Sequence, residues 1–243
     1  MTIYERLRLA VEREERAVVL TVVEGADAGT KLLIVEGEEP VGDAPIELAE
    51  LANGARTGLL EHEGRGVFVD VYGPPPKLVV FGAVDVAEAL CSFAGRLGWR
   101  TVVADTRATL ATQERIPSAG ELVVGWPDDA LRKIGLDADS AVVVLTHDDK
   151  LDTPALVAAL ASPAFYVGAL GSRRAQAARR ERLLDEGVSE ADLERVSGPC
   201  GLDLGASTPP ETALSILSEV LAVRAGRSGG RLAESRGRIH AER

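Results

Sequence analysis

The chain has 243 residues, 46% of them hydrophobic and 4% aromatic, and a formal net charge of −11 at pH 7. This length accommodates one large domain or two modest ones, with a core built mainly from Ala, Val and Leu. The acidic balance argues against a general nucleic-acid-binding protein, and no apolar run reaches the roughly 20 residues that cross a bilayer. A highly charged N-terminal stretch and only two cysteines predict a cytoplasmic protein without a disulfide framework.

The first part of the chain predicts a small α+β domain over residues 1–73. Residues 2–16 have the spacing of a charged amphipathic helix, and residues 17–23 and 31–35 are typical of strands joined by a glycine-containing turn. A short helix over 46–52 and a hairpin over 58–71 complete this unit. Because a unit of this size is marginally stable alone, we expect a homodimer that supplies further buried surface.

The second part predicts a Rossmann-like doubly wound parallel sheet over residues 77–224, after a proline linker at 74–76. Short apolar runs predict strands at 78–81, 100–104, 121–124, 141–145 and 164–167. Helical patterns lie between and after them, at 85–97, 128–134, 154–160, 173–185, 190–196 and 209–224. Strands that alternate with helices in this way form α/β sheets covered on both faces. The remaining residues, 225–243, are rich in Gly, Ser and Arg and are predicted to be a disordered tail.

The first strand–helix–strand segment has the layout of a dinucleotide-binding unit. Gly82 opens a turn after the strand, and Asp105 follows about 20 residues later, where such units carry an acidic residue. Val84 replaces the middle glycine of the fingerprint, and Asp85 places a negative charge where a pyrophosphate would bind. We interpret Asp85 as a helix cap paired with Glu88. NAD(P) binding is therefore disfavoured, and an NAD(P)-dependent oxidoreductase is the alternative hypothesis.

Candidate ligand-binding residues follow the predicted strands, at the sheet edge where doubly wound folds bind ligands. They lie in the glycine turn, in the loops after the second, fourth and fifth strands, and in the loop before the last helix. They are Gly82, Asp105, Arg107, Thr146, His147, Asp148, Gly168, Gly171, Ser172, Arg173, Gly201, Asp203 and Gly205. If the strand order is Rossmann-like, these loops converge on one rim.

His147 is the strongest single candidate, because it directly follows an apolar strand and is flanked by hydroxyl and carboxylate groups. A loop histidine bonded to backbone is the alternative interpretation. A metal site formed by His147, Asp148 and Asp152 is disfavoured, because the spacing matches no established metal motif. Residues 171–174, Gly-Ser-Arg-Arg, predict an anion-binding helix start, with a capped helix that carries solvated arginines as the alternative.

Other polar residues in this half are interpreted as structural. Thr208 and Glu211 predict a capping box at the start of the last helix. Cys200 is interpreted as a small semi-buried residue, because no cationic neighbour is adjacent in sequence to make it a reactive thiol.

Taken together and in order, the motifs resemble the XdhC/CoxI family of xanthine dehydrogenase accessory factors. The resemblance is carried by Gly-Ala at 82–83, Val-Ala-Asp-Thr-Arg at 103–107, Thr-His-Asp-Asp-Lys-Leu-Asp at 146–152, Tyr-Val-Gly-Ala-Leu-Gly-Ser-Arg-Arg at 166–174 and Gly-Leu-Asp-Leu-Gly at 201–205. It covers most of residues 77–223. The sequence departs from the family at Val84-Asp85, where a glycine and a histidine are usual, and at 42–47, where a cysteine is usual.

This resemblance implies an accessory factor for a molybdenum hydroxylase of the xanthine or carbon monoxide dehydrogenase type. Such a factor binds the molybdenum cofactor (molybdopterin) and delivers it to the apo-enzyme, acting as a chaperone rather than a catalyst. The implied partners are the molybdenum hydroxylase, through one of its subunits, and a cysteine desulfurase. The family's site residues carry over to Asp105, His147, Gly171, Ser172, Arg173, Asp203 and Gly205. A non-catalytic interaction protein that retains the fold is the remaining alternative.

Overall fold

The computed structural model describes residues 2–53, 55 and 57–234. The chain folds into two compact units, one up to Pro74 together with a 3-10 turn at Leu232–Glu234, the other spanning Pro75–Arg231. The boundary falls within the proline run. The tail predicted for 225–243 is described only to Glu234, so the rest of that prediction lies outside the described residues. Within these ranges no helix is long and apolar enough to cross a membrane.

The first unit is an antiparallel sheet with one α-helix. Its elements are α1 (Ile3–Glu12), β1 (Ala17–Glu24), β2 (Lys31–Val35), β3 (Val41–Gly42), a 3-10 segment (Ile46–Ala52), β4 (Gly58–His62) and β5 (Arg65–Tyr72). The strand order is β3-β2-β1-β5-β4. Two predictions differ in detail, since the segment at 46–52 is a 3-10 helix and the first helix ends at Glu12. Glu14 has a φ of 58°, which is incompatible with continuing an α-helix.

The second unit is a six-stranded sheet in which all neighbouring strands are parallel. Its elements are β6 (Lys77–Phe81), α2 (Asp85–Arg96), β7 (Arg100–Asp105), β8 (Glu121–Val124), α3 (Pro127–Ile134), β9 (Ser140–Val144), α4 (Asp149–Leu160), β10 (Tyr166–Ala169), α5 (Arg173–Asp185), α6 (Glu190–Leu193), β11 (Val196–Ser197) and α7 (Pro209–Arg224). The strand order β11-β10-β9-β6-β7-β8 is that of the Rossmann fold.

Helices cover both faces of this sheet, as predicted. Alternate residues of β6 point to opposite faces, because side chains alternate along a strand. Leu78 and Val80 join a core with α2 and α7, whereas Val79 and Phe81 join a core with α3, α4 and Leu183 of α5. The Rossmann-like α/β prediction is therefore confirmed.

Two predicted helix boundaries in this unit are wrong. Val196 belongs to a two-residue edge strand that pairs with Val167, and the helix before it is a single turn. Helix α4 begins at Asp149 rather than at the predicted Pro154. The Asp148 carboxylate caps it by accepting a hydrogen bond from the backbone N–H of Lys150 at 3.0 Å. Pro154 lies inside that helix. In the first case strand pairing with Val167, and in the second the Asp148 cap, determines the boundary in place of the local hydrophobic pattern.

Of the two predicted helix caps in this unit, one is confirmed and one is wrong. Thr208 and Glu211 form the predicted capping box at the start of α7, so that prediction is confirmed. Asp85 is not the cap of α2, because Val84 occupies the N-cap position without a side-chain hydrogen bond. Glu88, its predicted partner, accepts hydrogen bonds from the N–H and hydroxyl of Ser118 at 3.0 and 2.6 Å.

Candidate functional site

The carboxyl ends of the central strands meet at one edge of the sheet. Phe81 at the end of β6 is in register with Ala104 of β7 and Val144 of β9, and Val144 is in register with Ala169 of β10. The strand order reverses between β6 and β9, and such a switch point is where open α/β sheets bind ligands. The candidates that follow these strands therefore lie along one edge.

The glycine turn lies at this switch point. Gly82 has a φ of 115°, and a Cβ there would lie 3.3 Å from Cγ2 of Thr146. Glycine is therefore needed both for the backbone conformation and for the close approach of the loop after β9. The next residues bring Val84, not a glycine, to the mouth of the switch point.

The Asp105 carboxylate is buried and hydrogen-bonded to other groups of the protein. It is 1% exposed, and its carboxylate accepts the backbone N–H groups of Ala83 at 2.8 Å and Arg107 at 2.9 Å. The Arg107 guanidinium donates two further hydrogen bonds, each at 2.9 Å. Burial raises the pKa of Asp105, but the hydrogen bonds from Arg107 and Ala83 outweigh it and hold the pKa below its ordinary value. Asp105 thus positions Arg107 and the glycine turn, and both its oxygens are already used.

A cleft of about 560 Å³ opens beside these residues. Of the predicted residues, Arg107, Thr146, His147 and Asp148 line it, and its wall also includes Val84, Trp126 and Lys150. The Arg107 side chain is 51% exposed, and His147 and Lys150 are exposed as well. The cleft therefore presents Arg107, which pairs with Asp105, together with Lys150, an imidazole and the carboxylate of Asp148. Its Arg and Lys side chains are groups that can bind an anionic ligand.

A buried polar network fixes the floor of this cleft. The Thr146 hydroxyl donates to Asp152, and the Arg179 guanidinium donates to the other oxygen of Asp152 at 2.5 Å. Arg179 also donates to the carbonyl of Leu170 at 3.1 Å. Asp152 and Arg179 are 1% and 3% exposed. The network therefore ties the loop after β9 to the loop after β10.

Arg179 was not among the sequence-predicted residues. It lies four positions before Leu183 on α5, so both residues occupy one helical face, and both are buried. That spacing is the only sequence signal for its burial, because its partner Asp152 is distant in the chain. Asp152 points inward to Arg179, so it does not join His147 and Asp148 as a ligand. Among the described residues no group of three or more His, Cys, Asp or Glu side chains could hold a metal ion.

The candidates within β10 and in the loop after it lie toward the same edge but do not line the cleft. Gly168 is required by packing, because a Cβ there would lie 2.6 Å from the Tyr166 ring. Ser172 is the N-cap of α5 and accepts a hydrogen bond from the N–H of Ala175 at 3.2 Å. Arg173 is exposed. The capped-helix interpretation of this segment therefore describes its observed contacts.

The candidates after β11 form a separate loop. The N–H of Gly201 donates to Glu219 of α7 at 2.7 Å, and the Tyr166 hydroxyl donates to the same Glu219 oxygen at 2.5 Å. Asp203 and Gly205 are exposed and do not line the cleft. The predicted rim is thus one sheet edge by topology, whereas the cleft is built from the loops around β6, β7, β8 and β9.

Neither cysteine exposes its thiol to a ligand or reagent at this edge of the sheet. Cys91 and Cys200 are both buried, and burial raises the pKa of each thiol to about 12. Because thiolates rather than thiols react with alkylating reagents, we expect both cysteines to be modified slowly by iodoacetamide at pH 8 in the native protein. In urea both should be modified at the rate of a free thiol. Mass spectrometry of the timed reactions measures this, and rapid native labelling of Cys200 would contradict it.

Comparison with known proteins places these features in a family context. The XdhC Rossmann domain matches residues 78–220. Escherichia coli (strain K12) protein YqeB, which is uncharacterized, is 32% identical over 68% of this chain and 30% of its own length. A probable xanthine dehydrogenase subunit from Bacillus subtilis (strain 168) is 28% identical over 75% of this chain and 53% of its own length. The molybdenum cofactor insertion chaperone PaoD of Escherichia coli (strain K12) is 30% identical over 63% of this chain and 42% of its own length.

The chain therefore spans between about a third and a half of these curated relatives. A crystal structure of a xanthine dehydrogenase from Bacillus halodurans superposes with a TM-score of 0.68 at 26% identity. The match covers 91% of this chain and 66% of the other. The matched Rossmann region contains every residue that lines the cleft.

Proposed function

The chain belongs to the XdhC family, and from this premise we propose that it is a maturation factor for a molybdenum hydroxylase. In this proposal it binds the molybdenum cofactor in the switch-point cleft and delivers it to the apo-enzyme. The names of two relatives, a molybdenum cofactor insertion chaperone and a probable subunit of xanthine dehydrogenase, support this role. The hydroxylase partner belongs to the same proposal, whereas a homodimer, a cysteine desulfurase partner and a cytoplasmic location stay predictions from the sequence.

The observation that carries the proposal is the cleft at the switch point, with Arg107 and Lys150 in its wall. Its volume of about 560 Å³ lies within the range of small-molecule sites. The cofactor carries a phosphate, and Arg107 and Lys150 are the cations that would bind it. His147 and the Trp126 ring supply a polar edge and a flat surface for a heterocycle. Because both cysteines are buried, the proposed contact with the cofactor is made through its phosphate and pterin rather than through a thiolate.

No feature of the cleft favours the oxidoreductase alternative. Val84 stands where a dinucleotide-binding turn has a glycine that lets the backbone approach the pyrophosphate. Asp105, the residue expected to bind a ribose, directs both oxygens to Ala83 and Arg107. The proposed ligand is therefore the molybdenum cofactor and not NAD(P).

The test is a titration of the purified protein with isolated molybdenum cofactor, followed by tryptophan fluorescence. We expect saturable binding that Lys150→Met weakens about 10-fold, because a charge-assisted hydrogen bond contributes roughly 1.5–3 kcal/mol. Arg115→Met, which removes an exposed cation outside the cleft, is the matched control and should bind like the wild type. Arg173→Met tests the α5 helix start as the phosphate site.

Two outcomes would contradict the proposal. The first is absence of binding together with unchanged activation of an apo-hydroxylase when the protein is omitted. The second is a larger loss of affinity for Arg173→Met than for Lys150→Met, which would move the phosphate to the start of α5 and away from the cleft.

A further inference from the structure

A long groove runs along the outer surface of α4, between α3 and α5. Its volume is about 1360 Å³, and its floor includes Pro154, Val157 and Ala158. Because α4 has 12 residues, the groove is about 18 Å long, or roughly three turns of an opposing helix. Trp126 and Lys150 line both this groove and the cofactor cleft. One end of the groove therefore adjoins the cleft.

The groove wall contains polar atoms that lack a partner. Thr153 Oγ1, Asp128 Oδ1 and Arg182 Nε are buried and make no hydrogen bond within the described part of the chain. Thr153 is only 8% exposed and lines the groove. Buried polar groups are nearly always hydrogen-bonded in folded proteins. These atoms lie below the groove surface, so a docked segment would reach them only after the side chains of the wall move.

The charges around the groove are unevenly compensated. Arg132 is paired with acidic residues of its own helix, and Arg182 is paired with Asp149 at 2.7 Å. On the α5 wall of the groove, Asp185 and Glu186 are exposed and form no ion pair with any other residue that the structure describes. They also lie at the C-terminal end of α5, where the helix dipole adds negative charge. This wall of the groove favours a cationic partner.

We propose that the groove docks an amphipathic helix of a partner protein, with its apolar face on α4 and its Lys or Arg residues against Asp185 and Glu186. Docking of an apolar helix face into a groove is a recurrent recognition mode. The exposed ring of Trp126, at 51% exposure, is an anchor of the type that contributes strongly to interfaces. Only the identity of the partner rests on the proposed function: it is the hydroxylase that receives the cofactor.

The test uses two synthetic amphipathic peptides of Ala, Leu and Gln, one with lysines at one end and one with glutamates at the same positions. Binding is followed by tryptophan fluorescence. Trp126 is the reporter, because its exposed ring loses contact with water when a peptide binds, whereas Trp99 is already buried at 7% exposure. We expect the basic peptide to bind saturably with a blue shift, and at least 10-fold more tightly than the acidic peptide. Ala158→Arg should abolish binding, since it fills the groove with a bulky cation.

Charge reversal keeps the test independent of any folding defect in that variant. Glu186→Lys should weaken the basic peptide at least fivefold, whereas Glu181→Lys, on the same helix but outside the groove, should have no effect. Equal affinity for the two peptides, or binding unaffected by Ala158→Arg and Glu186→Lys, would overturn the proposal. So would a Trp126 shift with protein concentration alone that accompanies dimer formation in sedimentation, because a second copy would then occupy the groove.

The two proposals fail separately. Ala158→Arg should retain the wild-type affinity for the molybdenum cofactor, because Ala158 does not line the cleft. The peptide experiment uses no cofactor, so a negative result there leaves the cofactor titration to decide the proposed function on its own.

Discussion

Replacement of Arg179 by methionine is expected to lower the free energy of unfolding by about 3–5 kcal/mol, because it leaves a buried carboxylate without its counterion. Among the residues that the structure describes, Asp152 would retain only the Thr146 hydroxyl as a hydrogen-bond donor. Arg179 also donates to the carbonyl of Leu170, so its loss unties the loops after β9 and β10. Urea unfolding monitored by circular dichroism measures the change.

The chain offers a matched control for this experiment. Arg182 and Asp149 pair at 2.7 Å between the same two helices, but their side chains are 31% and 62% exposed. Because exposed ion pairs contribute about 0–1 kcal/mol, Arg182→Met should cost less than about 1 kcal/mol. Combining Arg179→Met with Asp152→Leu should recover most of the loss, since no charge then remains buried. Equal effects of Arg179→Met and Arg182→Met would contradict this account.

Replacement of Asp105 by asparagine is expected to weaken molybdenum-cofactor binding at least 10-fold and to destabilise the fold by about 2–3 kcal/mol. The carboxylate accepts four hydrogen bonds, and hydrogen bonds to a charged group contribute about 1.5–3 kcal/mol each before losses are shared. An amide cannot accept both bonds from the Arg107 guanidinium, so Arg107 loses its orientation toward the cleft. Cofactor titration and urea unfolding measure the two effects.

The same variant has a defined pH signature. The pKa of Asp105 lies below its ordinary value of 3.8 in the folded protein. The ionised carboxylate therefore stabilises the fold above pH 3.8, and this contribution is lost as the pH falls through the lower folded value. Asp105→Asn should flatten this part of the acid unfolding profile, whereas Glu121→Gln, an exposed carboxylate of the same sheet, should leave it unchanged. An unchanged profile for Asp105→Asn would contradict the assignment.

Local signals in the sequence were sufficient for most elements. The apolar runs of β6 and β9 identify buried parallel strands because both faces are covered, and the Thr208–Glu211 capping box lies within one helical turn. Gly98 has a φ of 78° and lies just beyond α2, in the left-handed conformation with which glycines commonly end helices. Each of these features depends on neighbours a few residues away.

The errors have a common cause in contacts between distant segments. Val196 became a strand because Val167 is its pairing partner. Gly168 stays a predicted site residue, and the packing role that the sequence did not reveal comes from the Tyr166 ring, whose hydroxyl donates to Glu219 of α7. The sequence does not predict the role of Arg179, because its partner Asp152 lies on another helix.

Sequence patterns alone were enough to identify the Rossmann-like fold, the family and the sheet edge that carries the polar loops. These follow from short-range periodicity and from the rule that parallel strands end at a common edge. Which of those polar residues are free for a ligand became clear only from the packed structure. Asp105 and Asp152 look alike in sequence to the exposed Asp203, but their oxygens are taken by Arg107 and Arg179. Whether a charged side chain faces solvent or a partner depends on packing between distant helices and loops, and no local pattern records it.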